Sequence, residues 1–283
     1  MKDFPGKIGV MQGRLSPPKE NLIQHYPIDS WEQEFSICRN LGLDCIEWVF
    51  EFTNFKQNIL FDIDDCIQIQ SIINNTGVSV NSVVADYFMV KKLFDESKED
   101  IKLNILTLKK LLINCNKINI PIVEIPFVDA SSMKNNEDKI QVVENLSSTL
   151  KFASELEIKI SVETDLDPLE FRNFINMFDT DNIYINYDMG NSASLGFSPI
   201  EEIKTYGEKI INVHIKDRIL NGSTVPLGSG DTNFYEVFSS LKEIDYNGDF
   251  IFQSARHDFN SSSNKNYINV MKEYLDFTKK YLA

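Results

Sequence analysis

The sequence predicts an α/β fold of the (β/α)8 TIM-barrel kind, formed as a single domain over residues 1–283. Three features carry that reading. Short runs rich in Ile, Val and Phe recur eight times, at intervals of about 34 residues, an ordinary length for a strand with its crossover. The segments between them carry apolar residues at helical spacing. No Pro/Gly/Ser-rich linker or low-complexity run interrupts the alternation, which favours one closed barrel over separate domains. An open doubly wound sheet shares the alternation and differs from a barrel only in strand order.

In chain order the strand candidates are KIGVMQG from Lys7, CIEWVFE from Cys45, VSVNSVVAD from Val78 and IPIVEIPFVD from Ile120, then KISVETD from Lys159, IYINYDMGN from Ile183, IINVHIKDR from Ile210 and GDFIFQSAR from Gly248. Helices are expected between them. From Trp31 to Leu41, Trp31, Phe35, Cys38 and Leu41 share one stripe; Ile101 to Ile118 and Ile140 to Leu156 repeat the spacing, and Tyr267 to Phe277 closes the chain. Gly42 and Gly77 stand just past helices, and Asn221-Gly222 and Asn247-Gly248 mark turns. NSSSN from Asn260 reads as a loop after the last strand. The first strand runs into MQGRL rather than GxGxxG, so no dinucleotide site is expected.

A hydrophobic share of 42% supplies a core, and a net charge of −14 repels a phosphate polymer, which argues against a nucleic-acid partner. A small anion held by local cations remains compatible with that charge. Cys38, Cys45, Cys66 and Cys115 lack CxxC spacing and read as packed thiols in a reducing cytoplasm. No run approaches ~18 consecutive apolar residues, and MKDFPGKIGVMQGR lacks a signal-length apolar stretch. The expectation is a cytoplasmic protein with no membrane partner, a homo-oligomer being left open.

In a barrel, a buried strand that ends in an ionisable residue points to the active rim. Strand five ends with Glu163 in SVETD, strand six with Asp188 in INYDMGN and strand seven with His214 in VHIKD; strand eight places the neutral Gln253 correspondingly. Glu47 and Glu124 lie similarly on strands two and four. Taken singly, each is as readily a capping or ion-pairing group. Together, Glu, Asp and His on three successive strands suit a shared divalent metal, Mn²⁺, Mg²⁺, Co²⁺ or Zn²⁺.

Glu47 and four cations near strand ends, Arg14, Lys216, Arg218 and Arg256, are expected at the substrate. The cations suit a carboxylate, phosphate or nucleotide diphosphate, although the arginines are equally explained by pairing with a neighbouring Asp and Lys216 by exposure beyond the strand end. The loop LGSGDTNF, with Gly228 and Gly230 before a helix from near Asn233, lies where barrels often hold phosphate. It reads equally as a tight turn with Asp231 or Thr232 as N-cap. Trp48 and Phe50 suit sugar stacking or, more ordinarily, core packing.

The set Glu163, Asp188, His214 and the strand-eight position resembles the sugar-phosphate isomerase/epimerase superfamily, the xylose isomerase-like barrels. KIGVMQGRLSPP, LGLDCIEWVFE, NYDMGNSASLG and VPLGSGDTNF strengthen the resemblance, which spans nearly the whole chain. It implies a metal-dependent isomerase or epimerase acting on a small-molecule sugar or derivative. It also implies that Gln253 stands where better-known epimerases carry a glutamate, both metal ligand and second acid/base. A glutamine can still coordinate through its carbonyl oxygen, but it carries no proton. The protein ligands then supply two negative charges rather than three.

The chemistry implied is removal of a proton beside a carbonyl, giving an enediolate, with Glu163 as base. Inverting a stereocentre takes a second proton donor on the opposite face. With Gln253 unable to serve, epimerisation would draw on Lys216 or Glu124, and Lys216 shares a strand face with His214. Without such a donor, isomerisation or dehydration is favoured. A sugar or inosose-type dehydratase and a non-catalytic sugar-binding barrel are therefore the competing readings. A repair nuclease of the endonuclease IV type needs several histidines, and this chain has only His25, His214 and His257.

Overall fold

A computed structural model describes residues 4–17, 24–256 and 266–282. Eight parallel strands close into a barrel in the order β1 to β8, which settles the choice against an open sheet. They are β1 (Ile8–Met11), β2 (Cys45–Val49), β3 (Ser79–Val84), β4 (Ile122–Phe127), β5 (Lys159–Thr164), β6 (Ile183–Asp188), β7 (Ile210–Ile215) and β8 (Asp249–Phe252). All eight fall within the expected runs. The NSSSN segment and His257 lie outside the described residues.

The helical shell comprises α1 (Trp31–Leu41), α2 (Ile67–Thr76), α3 (Tyr87–Val90), α4 (Lys98–Lys117), α5 (Asn136–Glu155), α6 (Pro168–Ile175), α7 (Met189–Leu195), α8 (Pro199–Tyr206), α9 (Phe234–Glu243) and α10 (Tyr267–Leu282). α1 has the expected bounds, and Gly42 and Gly77 end their helices in left-handed backbone at φ 74°. α4 and α5 start earlier than their apolar stripes because caps, not stripes, begin a helix. Ser97 accepts from the Asp100 amide, and Asn135 forms a capping box with Asp138. None of these described helices is long and apolar enough to cross a membrane.

Two cores result. The larger lies between the strands and the helices and takes in Trp48 and Phe50. Trp48 packs 5.5 Å from Trp31 and 5.6 Å from Tyr26, and Phe50 packs 5.5 Å from Tyr87 (ring centroids), both fully buried. They are core aromatics, not sugar platforms. Inside the barrel a small apolar cluster, Met11, Cys45, Val49, Val84 and Ile251, fills one side. It depends on Gly9, where a Cβ would come within 2.4 Å of Cys45 Sγ and 2.8 Å of Ile251 Cδ1. The other side is polar, and the register irregularities in β2 at Ile46/Glu47 and in β6 at Ile185/Asn186 fall beside it.

Candidate metal centre

Period-2 alternation points Asn186 and Asp188, Asn212 and His214, and Ser161 and Glu163 into the barrel. Four carboxyl groups then surround one imidazole. His214 Nε2 lies 2.8 Å from Glu47 Oε2 and 3.4 Å from Glu124 Oε2, and Nδ1 lies 3.7 Å from Glu163 Oε2 and 4.0 Å from Asp188 Oδ2. His214, Glu47 and Glu124 are wholly buried, Glu163 and Asp188 nearly so. Donor atoms of Glu163, Asp188 and His214 all fall within 4.8 Å of one another, as do those of Glu47, Glu124 and His214.

Each carboxylate has a different lot. Glu47 Oε1 accepts from Ser82 (2.7 Å) and Asn212 (2.9 Å) while Oε2 holds His214. Glu47 therefore fixes the imidazole from below, leaving Nδ1 to face Glu163 and Asp188, and it is not among the residues that line the cavity above. Asp188 Oδ1 accepts from the Gly190 and Asn191 amides at 2.9 Å, capping α7, so only Oδ2 faces the centre. Glu163 takes Asn186 Nδ2 at 3.1 Å and a second hydrogen bond from Asn191. Neither oxygen of Glu124 has a hydrogen-bond donor.

Burial, then the charges of Glu47 and Glu163, push the Glu124 carboxyl well above its ordinary range. Burial and the Asp188 charge push Glu163 up as well, although His214 and Lys216 oppose them. Burial by itself would lower His214; the charge and hydrogen bond of Glu47, with Glu163 and Asp188, outweigh it and leave the imidazole raised. Burial and neighbouring carboxylates thus act in the same direction on Glu124 and Glu163.

Above it a cavity of about 370 Å³ opens at the C-terminal rim of the barrel, lined by Glu124, Glu163, Asn191, Lys216, Arg218 and Gln253 and, farther round, by Gln24 and Asp86. Gln253 reaches this cavity, but its Oε1 accepts from Lys216 Nζ at 2.8 Å, and the same ammonium lies 3.0 Å from Asp188 Oδ2. Arg218 donates twice to the Gly222 carbonyl and once, at 2.8 Å, to Asn191 Oδ1.

The four cations expected on one rim are thus divided. Lys216 and Arg218 line the cavity, whereas Arg14 is buried to the side, donating to the Ser254 carbonyl at 3.0 Å, and Arg256 reaches His25 Nδ1 at 3.2 Å. Burial and the Arg256 charge lower Arg14 to about 9. The LGSGDTNF loop is a turn organised from within. Asp217 accepts from the Gly228, Gly230 and Thr232 amides at 2.8, 2.9 and 3.1 Å, occupying the nest a phosphate would need, and the N-cap of α9 is Asn233, not Asp231 or Thr232.

Several site residues escaped the sequence reading. Asn186 and Asn212 sit two positions before Asp188 and His214, so strand alternation alone would have found them. Asp86, two residues past β3 and at the N-cap of α3, lines the cavity and is raised to about 7, chiefly by burial. Glu34, from α1, accepts from the Gly13 and Leu15 amides and so shapes the turn that carries Arg14; nothing in its local sequence marks it.

The fold and this centre define a barrel with a carboxylate–imidazole site at its C-terminal rim. Residues 35–281 match the family described as the xylose isomerase-like TIM barrel, and the chain belongs to that family. Among curated relatives, the inosose dehydratase of Geobacillus kaustophilus is 27% identical over 125 residues, 38% of this chain and 40% of that protein. The chain spans about half or less of the length of the first curated relatives it matches. L-ribulose-5-phosphate 3-epimerase UlaE of Escherichia coli O1:K1 / APEC is 20% identical over 80% of this chain and 82% of its own. Among solved structures, the IOLI protein with a bound zinc atom superposes with a TM-score of 0.74 at 18% identity, over 97% of this chain and 99% of the other, which shows the shared fold.

Proposed function

We propose that this chain is a divalent-metal-dependent isomerase or epimerase of a sugar or sugar derivative, with Glu163 as the base that removes a proton beside the substrate carbonyl. One observation carries the reading: four buried carboxyl groups lie within 4.0 Å of the His214 ring at the floor of a cavity. Lys216 is the cation this cluster touches among the described residues, so the donor set fits a further divalent charge. Glu163, Asp188 and His214 would hold Mn²⁺, Mg²⁺, Co²⁺ or Zn²⁺. When bound there, such an ion polarises adjacent hydroxyl and carbonyl oxygens as a Lewis acid.

The side chains prepare the proton transfer. Asn186 and Asn191 each hold one oxygen of Glu163, fixing its orientation toward the cavity. Arg218 holds Asn191 in turn. The Lys216 ammonium supplies a positive pole beside the position where an oxyanion develops. Glu124, which lines the same cavity with Glu163 and stands 3.4 Å from His214 Nε2, is the candidate to return a proton. The names of the relatives, epimerases and an inosose dehydratase, support sugars and polyol-derived ketones as the substrate class.

Dehydration is the second reading, favoured by Gln253, which cannot carry the proton an inverting enzyme needs. The test is deuterium exchange from D₂O into ketohexoses, their phosphates and inosose, followed by NMR with the protein loaded with each of the four metals. Exchange that stops with EDTA and returns with metal supports the proposal; a deoxy or conjugated carbonyl product assigns the dehydratase. Silence with every sugar and every metal would leave only the binding protein.

A further inference from the structure

We infer that the cation centre has three protein ligands, Glu163, Asp188 and His214, because Lys216 withholds the strand-eight carboxamide from the coordination shell. The inference rests on the metal-dependent reading above. Lys216 Nζ donates to Gln253 Oε1 at 2.8 Å and to Asp188 Oδ2 at 3.0 Å. Packing aims that ammonium. The lysine stem lies across Gly190, where a Cβ would come within 2.7 Å of Lys216 Cγ and 2.8 Å of its Cβ. Asp188 caps the same turn of α7 through Oδ1, so lysine stem, aspartate and helix start form one unit.

The two oxygens that the ammonium touches differ in charge. Asp188 is a carboxylate, and a negative charge lying between two cations offsets their repulsion, so it can serve both. Gln253 offers a neutral carbonyl. Sharing that neutral oxygen as well would draw a divalent ion and the ammonium closer together without adding any charge to offset their repulsion, which is strong inside a protein. The lysine is covalently tethered and already at hydrogen-bond distance, so the carboxamide stays with it. Glutamine and lysine thus act as a pair: the amide anchors the ammonium beside Asp188.

The experiment is Mn²⁺ titration of the EDTA-stripped full chain by calorimetry, with thermal melting to check each variant's fold. Asp188→Asn is expected to weaken Mn²⁺ tenfold or more, whereas Gln253→Leu should change Kd by less than threefold. Lys216→Met should tighten Mn²⁺ tenfold or more, and in that background Gln253→Leu should now cost at least tenfold, the freed carboxamide having become a ligand. The visible spectrum of the Co²⁺-loaded protein should not change with Gln253→Leu alone. A loss of threefold or more on Gln253→Leu in the natural background would overturn the inference while leaving the metal-dependent reading standing. So would equal effects of that substitution with and without Lys216. Gln253→Ser is read by the same thresholds should the leucine variant fail to fold. A natural chain that binds none of the four metals stoichiometrically would overturn both.

Discussion

Asn186 donates to Glu163 Oε2 and faces His214 Nδ1, each at 3.1 Å, while its own Oδ1 accepts from Asn212. One carboxamide therefore orients the proposed base and the imidazole together. Glu163→Gln is expected to lower solvent deuterium exchange by about a thousandfold, within the usual range for losing a positioned base. Its melting temperature should not fall, since the change removes one of four crowded charges; retained exchange in a folded variant would remove Glu163 from the mechanism. Glu163, Asp188 and His214 were legible because three successive apolar strands end in ionisable residues of metal-ligating type, although each alone reads as readily as a cap or ion pair. Asn186 and Asn212 share their strand face with Asp188 and His214 by alternation, but what they hold was not legible, because a neutral amide's partners lie on other strands.

At the scale of elements, two polar devices hold the rim. Asp217 gathers three amides of the β7–α9 loop, and Asp217→Ala should cost on the order of 4 kcal/mol through lost charge-assisted bonds and stranded donors, lowering the melting temperature by about 10 °C. The second device joins β6, α7 and α8. Buried Glu202 accepts from Ser192 at 2.7 Å, Tyr206 at 2.8 Å and Tyr187 at 3.0 Å, and burial raises it to about 7. A carboxyl raised on folding holds its proton more tightly in the native state. Its contribution is fully present below the ordinary carboxylate value and is lost as pH rises to about 7, a difference on the order of 3 kcal/mol. Glu202→Gln should flatten the dependence of stability on pH across that window, as read by denaturant melts at pH 4.5 and 8. A slope unchanged by the substitution would place the proton elsewhere. α7 escaped the sequence reading because NSASLG resembles a turn, and its helix depends on the cap from Asp188.

For the whole molecule, the proposed centre predicts that stability rises with cation binding. Mn²⁺ at about a hundred times its Kd should add ~2.7 kcal/mol by mass action, and EDTA should reverse the gain. Asp188→Asn should abolish the response, whereas a melting temperature indifferent to every divalent metal would contradict a centre at this site. The α/β alternation was legible from eight apolar runs averaging about 34 residues apart, whereas closure into a barrel rests on the strand order.

Sequence alone determined the strands, their number and the ionisable residues that end them, since local composition and period depend only on neighbours along the chain. Only the tertiary structure decided which groups share one charge environment. It moved Arg14 and Arg256 aside, turned Glu47 beneath His214, filled the glycine-loop nest with Asp217 and joined Gln253 to Lys216. Each of those outcomes depends on distances between residues far apart in sequence, where Coulomb and hydrogen-bond energies are set by ångströms that no local pattern records.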